Sequence, residues 1–507
     1  MIFIYVRGKL AAANVLFFML LTFSYPAISL TAQTSPKREL RGAWIATIAN
    51  IDYPESPFSS SEHKTAELID IFEKLKRAGI NCVYFQVRDE CDALYQSSIE
   101  PWSYWLTGKQ GSAPVPFFDP LQLAVTEAHK HGMELHAWLN PFRAVKTSGE
   151  YEISPRHISV AHPEWILEFK ELKMLDPGNP LVRKYILSVV DDIVSNYDID
   201  GIHFDDYFYP YTKITKEDAG SFALYKGQFK SIDDWRRDNI NTLIADANKV
   251  IKSRKKYVQF GISPFGIVRN KYANTNGFES YDILYCDPLT WLKRKSVDYL
   301  IPQIYWEIAS KKSSFTKLLR WWSALDTNRN IFAGHFASNF LSEKFSGSES
   351  ELQDQIHLTR SILTKNPGSV FFSAKTITRN WKNFCDTLEF KLYIYPAVQP
   401  QCPWLDNIPP LSPTIGTATI DNRQVELTWE PSSPASDGDT ATAYILYKFE
   451  ASEKFDFEDA RAIRAIIPAA RHSYSEYAGY SDYVYFISSL DRLHNESETR
   501  LRLEAGK

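Results

Sequence analysis

Residues 200–210 read Asp-Gly-Ile-His-Phe-Asp-Asp-Tyr-Phe-Tyr-Pro, which is the most informative stretch of the chain. It is a short apolar segment that ends in two adjacent carboxylates and a group of aromatic rings. Burying a carboxylate is costly unless the group is paired or hydrogen-bonded. We therefore interpret the stretch as a strand that leads into a polar pocket, and similar strand ends recur along the chain.

Strand-like and helix-like segments alternate on both sides of this stretch. The predicted strands cover residues 40–49, 81–87, 133–139, 199–204, 258–263, 297–304, 330–334 and 368–373. Apolar residues at helical spacing, with Gly or Pro near the ends, predict helices between most of them. Eight strands alternating with helices over about 350 residues predict an α/β fold, a (β/α)8 TIM barrel. An open doubly wound sheet is the alternative, although it often carries a Gly-rich phosphate turn that this chain lacks.

The two ends of the chain differ in character from the barrel. Residues 1–32 read as a signal peptide, with Arg7 and Lys9 before an apolar run and a cut after Ala32. An uncleaved anchor is the alternative, and no other segment is long and apolar enough to span a membrane. We predict the barrel at 37–398, a Pro-rich linker at 399–412 and a β-sandwich at 413–507. Residues 485–497 resemble the last strands of fibronectin type III domains, so we expect a fibronectin type III-like sandwich.

Composition narrows the classes of partner. Aromatic residues make up 14% of the chain, which favours either ring-lined binding surfaces or a large aromatic core. The net charge of −4 comes without a basic block, so we expect no nucleic-acid partner. The five cysteines are scattered without metal-ligand spacing, and Cys385 and Cys402 form the pair most worth testing for a bridge. We expect no metal and no cofactor.

Barrel enzymes carry their active sites at the carboxyl ends of the strands. Along the fourth strand His203, Asp205 and Tyr207 share one face, and we expect that face to point into the barrel mouth. Asp205 is the first choice for a catalytic carboxylate, and the candidate partner acids are Glu307, Asp92 and Asp206. Another interpretation is that these acids cap the following turn.

Acidic, amide, Arg and aromatic side chains also stand at the other strand ends and in the long loop after the second strand. Such a set suits a neutral polyol, chiefly a glycan. Asp52, Arg143, His335 and Lys375 also stand at strand ends. The predicted substrate-binding residues are Arg88, Asp92, Trp102, Asn140, His203, Tyr207, Gln303, Tyr305 and Trp306. His136 and His203 lie within strands, which keeps a metal hydrolase as an alternative.

A series of ordered motifs resembles one family. The motifs are Arg41-Gly-Ala-Trp44, Phe85-Gln-Val-Arg88, Asp92-Ala-Leu-Tyr95, Pro101-Trp-Ser103, Leu106-Thr-Gly108, Ala137-Trp-Leu-Asn-Pro141, Asp176-Pro-Gly178, Asp200-Gly-Ile-His-Phe-Asp-Asp-Tyr207, Gly261-Ile-Ser-Pro264, Asp287-Pro288 and Pro302-Gln-Ile-Tyr-Trp306. Together they resemble the glycosyl-hydrolase-like 10 family of bacterial exported proteins over roughly residues 37–395. One departure is Asp89-Glu90-Cys91, where relatives are expected to have Pro and Gly.

The resemblance implies a barrel hydrolase whose family includes an envelope glycosidase that cuts peptidoglycan strands stripped of their peptides. It implies that Arg88, Asp92, Asn140, Asp205, Gln303 and Tyr305 line the site. We therefore expect an exported glycoside hydrolase, periplasmic or at the surface of a Gram-negative bacterium, that cuts a polysaccharide by carboxylate acid–base chemistry. The alternatives are a non-catalytic glycan-binding protein on a barrel scaffold and a metal-dependent polysaccharide deacetylase. Tyr207 stands where chitinase-type barrels have a catalytic Glu, which argues against that mechanism.

Overall fold

The structure is a computed structural model that describes residues 35–325, 328–477 and 482–504. The predicted signal peptide at 1–32 lies outside the described residues. No helix in the described ranges is long and apolar enough to cross a membrane. All five cysteines are buried and free, Cys385 and Cys402 included.

Nine short parallel strands form one sheet that closes into a barrel. The barrel strands are β1 (Leu40–Ile45), β2 (Cys82–Arg88), β3 (Glu134–Leu139), β4 (Gly201–Phe204), β5 (Gln259–Ile262), β6 (Tyr299–Leu300), β7 (Asn330–Ile331), β8 (Ala333–His335) and β9 (Gly368–Phe371). Only Phe332 separates β7 from β8, yet β7 pairs with β6 and β8 pairs with β9. The predicted barrel is confirmed, and its seventh strand is interrupted into β7 and β8.

Helices join the barrel strands. They span Ser61–Arg77, Tyr104–Thr107, Pro120–Lys130, Ile158–Ala161, Pro180–Asn196, Ala219–Tyr225, Ile232–Arg254, Asn270–Ala273, Ser280–Ile283, Pro288–Lys293, Phe315–Ser323, Ala337–Phe340, Glu351–Ile362, Lys375–Thr378 and Phe384–Thr387. Their starts follow from local chemistry, because Asp119 and Asn179 cap the backbone and a proline follows each cap at the first helical position. A small antiparallel sheet of Arg143–Val145, Ile166–Glu168 and Lys173–Leu175 lies in the long connection after β3.

The alternation predicted for β4 is present. Ile202 and Phe204 belong to the large apolar cluster that includes the helix residues. His203 faces the other way, into the barrel. Its ring lies 4.8 Å from the ring of Tyr84 and 5.9 Å from that of Tyr299, and both tyrosines belong to a separate, smaller apolar cluster inside the barrel. The strand thus carries its acids at the end of an inward-facing row.

Two antiparallel sheets follow the barrel. One contains Gly416–Asp421, Gln424–Trp429 and Ser473–Tyr477, and the other contains Ala443–Glu450, Ile463–Pro468, Tyr483–Leu490 and Leu501–Glu504. Leu427 and Trp429 of the first sheet share an apolar cluster with Leu446 and Ile487 of the second. A β-sandwich needs such a shared core. The fibronectin type III likeness and the boundaries at 37–398, 399–412 and 413–507 stay predictions.

The loop between the strands Tyr483–Leu490 and Leu501–Glu504 packs against the amino-terminal ends of the barrel strands. Arg492 donates to Asp198 at 2.8 Å and to Asp200, which directly precedes β4, at 3.0 Å. His494 lies 2.8 Å from the carboxylate of Glu134 at the start of β3. The carboxyl ends of the strands, where the candidate site lies, are the opposite ends.

Candidate active site

Asp205 follows β4 and is held by neutral donors. Because Trp138 of β3 pairs with His203 of β4, the end of β3 lies beside Asp205. The Trp138 indole N–H and the Asn140 amide each donate to Oδ2 of Asp205 at 3.1 Å. Burial raises the pKa of Asp205 to about 6, against the opposing charge of Arg143 and these hydrogen bonds.

Asp206 is buried beside it and has different partners. The Tyr211 hydroxyl donates to its Oδ2. Burial and then the charge of Asp205 raise the pKa of Asp206 to about 7, while hydrogen bonds from Tyr211 and Gln303 oppose the shift. Gln303 is itself oriented, since its amide donates to the backbone carbonyl of Ser263 at 3.0 Å. Two neighbouring carboxyls with separate environments and separate pKa values are the arrangement that acid–base catalysis uses.

Arg88 lies behind the site rather than in it. Its side chain is fully buried and grips Glu100 through Nε at 2.8 Å and Nη2 at 2.7 Å. Its Nη1 donates to the backbone carbonyl of Asn140 at 2.5 Å. Arg88, which was predicted to contact substrate, therefore supports Asn140 instead, and the amide of Asn140 in turn donates to Asp205.

Asp92 is also fully buried, in a cluster of acids built by the unusual segment after β2. Gln110 donates to Asp92 at 2.9 Å, and Trp105 donates to Glu90 at 2.8 Å. Burial, followed by the charge of Asp92, raises the pKa of Asp89 well above its ordinary value. One carboxylate oxygen of Asp89 and one of Asp92 have no hydrogen-bond partner among the described residues.

His203 occupies the barrel interior below the acids. It is fully buried, and its Nε2 accepts from the Trp44 indole at 3.2 Å while its Nδ1 lies 3.1 Å from the Tyr299 hydroxyl. Burial lowers the pKa of His203 well below its ordinary value. The ring is thus a neutral packing group rather than the substrate contact predicted from the alternation.

The predicted aromatic contacts are partly open to solvent. Tyr207 is 37% exposed, and Tyr305 stacks on Phe336 with ring centroids 4.8 Å apart. Trp306 packs edge-on against Phe265 at 5.5 Å, and Trp102 packs edge-on against Phe117 at 6.2 Å. Exposed ring faces of this kind suit the apolar faces of sugars.

Glu307 differs from the two aspartates that follow β4. Asp205 and Asp206 are buried, whereas Glu307 is exposed on the loop after Trp306. The desolvation on which its prediction as partner acid rested is therefore absent. The structure brings together Asp205 and Asp206 and leaves Glu307 on the surface.

Two residues of the site were not predicted. Trp138 was visible as part of a motif, and its position two residues before Asn140 on the same face would have indicated its contact with Asp205. Tyr211 gave no such signal, because its contact depends on how the loop after β4 folds back. Among the described residues, side chains close enough to share a metal ion form the groups Cys82, Glu134, His136 and Asp406, Asp437, Asp439, and neither includes Asp205 or Asp206.

Comparisons with known proteins agree on the family. The profile described as "Glycosyl hydrolase-like 10" matches residues 39–339. The chain is 35% identical over 500 residues to "Glycosyl hydrolase YngK" of Bacillus subtilis (strain 168), covering 94% of this chain and 95% of that protein. It is 38% identical over 315 residues to "Glycosyl hydrolase DigH" of Escherichia coli (strain K12), covering 58% of this chain and 71% of that protein.

Solved structures with a related outline include two carbohydrate-active enzymes. The PgaB (BpsB) glycoside hydrolase domain from Bordetella bronchiseptica has a TM-score of 0.42 at 12% identity, covering 70% of this chain and 98% of that chain. The endo-beta-1,4-mannanase from Thermotoga petrophila has a TM-score of 0.43 at 9% identity, covering 94% of this chain and 99% of that chain. The family match over 39–339 and the relative similar along nearly the whole chain carry the conclusion. The chain belongs to the glycosyl hydrolase-like 10 family and, with it, to the glycoside hydrolases.

Proposed function

We propose that the protein hydrolyses glycosidic bonds of peptide-free peptidoglycan strands outside the cytoplasm, with Asp205 and Asp206 as the working acids. The observation that carries the chemistry is the pair of adjacent buried carboxyls with separate partners. Neutral donors hold Asp205, the stronger acid, and Asp206 has the higher pKa of about 7. Glycoside hydrolysis normally uses one protonated and one ionised carboxyl group.

The two carboxyls divide the reaction between them. Asp206, which keeps its proton to higher pH, donates it to the oxygen of the leaving sugar. Asp205, ionised and held by Trp138 and Asn140, stabilises the positive charge that develops at the anomeric carbon. Water then supplies a hydroxyl group to that carbon and returns a proton to Asp206, which restores the site.

The choice of substrate has separate support. The half-exposed rings of Tyr207, Tyr305 and Trp306 suit sugar faces. Peptide-free strands follow from the family resemblance, and export follows from the predicted signal peptide. A fibronectin type III-like sandwich at 413–507 belongs to the same proposal, as an accessory region of an exported enzyme.

The test is incubation of the purified protein with peptide-free strands, with the products followed by mass spectrometry across pH. We expect cleavage with a bell-shaped profile of kcat/KM that is highest between about pH 6 and 7. The acidic limb reflects protonation of Asp205, and the alkaline limb reflects loss of the proton of Asp206. Binding without cleavage at every pH would support the glycan-binding alternative. Release of acetate that stops on chelation would support the deacetylase.

A further inference from the structure

We propose that Arg143 binds a carboxylate carried by the glycan and thereby selects acidic strands. This inference rests on the proposed function, because it concerns the substrate of the same site. It assigns a specificity-determining role to a residue that supplies no acid or base to the reaction.

The position of Arg143 is set from three sides. Its backbone N–H donates to the Asn140 side chain at 2.9 Å, which fixes the turn after β3. Its Nε donates to the backbone carbonyl of Asp89 at 3.1 Å, and its guanidinium lies 5.0 Å from the ring centroid of Tyr207. The side chain therefore spans the space between the loop after β2 and the end of β4, next to Asp205.

No carboxylate among the described residues pairs directly with Arg143, although its charge acts on the neighbouring acids. Other buried arginines grip a carboxylate directly, as Arg88 grips Glu100 at 2.7 Å and Arg236 grips Asp218 at 2.6 Å. Within the described ranges, Arg143 forms no ion pair, and its two terminal nitrogens have no acceptor, although the residue is only 7% exposed. An unpaired buried cation is costly. These nitrogens are not among the buried unpaired atoms, so they reach the solvent of the mouth.

The neighbouring acids define what this guanidinium can accept. The charge of Arg143 lowers the pKa values of Asp205, Asp89 and Glu90, but the hydrogen bonds to these carboxylates come from other groups. Glu90, for example, is held by the Trp105 indole and the Tyr151 hydroxyl. Because Asp205 is ionised in the proposed reaction and repels a distant anion, recognition requires direct contact with the fork of the guanidinium. A planar carboxylate matches that fork through two parallel hydrogen bonds.

Peptide-free peptidoglycan offers such a group, because every second sugar carries a lactyl ether with a free carboxylate. In strands that still carry peptides, this carboxylate is bonded as an amide and has no charge. Contact with Arg143 would therefore favour strands from which the peptides have been removed. The same contact predicts that neutral glycans of similar shape are poorer substrates.

The experiment compares peptide-free strands with the same strands whose carboxylates have been converted to methyl amides. Arg143→Gln should lower the ratio of kcat/KM for the acidic strands to that for the amidated strands by about tenfold. Lys146→Gln is the matched control, since Lys146 is an exposed cation beyond the same short strand, and its removal should leave the ratio within about twofold. Arg143→Lys should restore part of the preference, because it keeps the charge and loses the fork.

Three outcomes separate the two proposals. Equal loss on both substrates with a shifted pH profile would mean that Arg143 only keeps Asp205 ionised, which would overturn this inference and leave the proposed function standing. Equal cleavage of both substrates by the unmodified enzyme would overturn it as well. If neither substrate is cleaved, the proposed function fails. Titration calorimetry then tests the inference alone, because it compares the affinity of the unmodified protein for acidic strands with its affinity for amidated strands.

Discussion

The strand β4 lies between two buried aspartates, and the two have opposite chemistry. Asp200 is 6% exposed and Asp205 is 4% exposed, so burial alone cannot distinguish them. Asp200 lies 2.9 Å from the His129 ring and 2.9 Å from Arg492, and these charges outweigh burial and hold its pKa well below the ordinary range. Asp205 has an indole and an amide as donors, and its pKa is raised to about 6.

The difference shows that the partners, rather than depth, decide whether a buried carboxylate is structural or reactive. A direct cation makes the ionised form so stable that the group no longer exchanges a proton near neutral pH. Neutral donors hold the same group in place and leave its pKa within the working range. The barrel thus places direct ion pairs at one end of β4 and its proton chemistry at the other.

The largest effect is expected from Asp205→Asn in a turnover assay on peptide-free strands. The amide keeps the shape but carries no charge, so activity should fall by about 100- to 10,000-fold. Asp200→Asn is the matched change at the other end of the strand and should retain activity within about threefold where the protein is folded. Activity of Asp205→Asn above a tenth of normal would remove Asp205 from the reaction.

In a stability measurement the order of the same two variants should be reversed, with the larger effect for Asp200→Asn. Asp200→Asn leaves Arg492 without its buried partner and should lower the free energy of unfolding in urea by about 3 kcal/mol at pH 7. Asp205→Asn should change it by less than about 1 kcal/mol. Because the folded pKa of Asp200 is lowered, its contribution is present above the ordinary carboxyl range and is lost as the pH falls. The gap between Asp200→Asn and the unmodified protein should therefore shrink on acidification, and a gap that does not depend on pH would contradict the assignment.

The smallest effect is expected from Tyr211→Phe. The Tyr211 hydroxyl stabilises ionised Asp206, so its loss should raise the pKa of Asp206 and move the alkaline limb of the kcat/KM profile upward by less than about one pH unit. Tyr225→Phe, which removes a hydroxyl from an exposed tyrosine, should leave the profile unchanged. A downward shift for Tyr211→Phe would mean that Asp206 is not the acid that loses its proton in this limb.

The repeating part of the molecule was accessible from sequence, because it depends on short-range rules. Alternation placed Ile202 and Phe204 on the outer face of β4 and His203 and Asp205 on the inner face. Strand order then brought Asn140 beside Asp205, since successive parallel strands lie next to each other. Even the interruption at Phe332 left the order unchanged.

The contacts that depend on loop paths were not accessible. Arg88 stands at a strand end like a substrate ligand, but the loop after β2 returns Glu100 to it and buries the pair. Glu307 follows two aromatic residues that suggest shelter, yet its loop turns the carboxylate to solvent. Tyr211 reaches Asp206 only because the chain after β4 folds back. Each case needs a long-range path that no local pattern encodes.

The contacts of Arg492 and His494 have a consequence for the history of the gene. Arg492 pairs with Asp200, which precedes β4, and His494 lies beside Glu134 at the start of β3. A recombination event that exchanged the carboxyl-terminal region for an unrelated module would leave both acids without those partners. Inheritance of the two regions as one piece, or simultaneous replacement of those acids, is the route that avoids this cost.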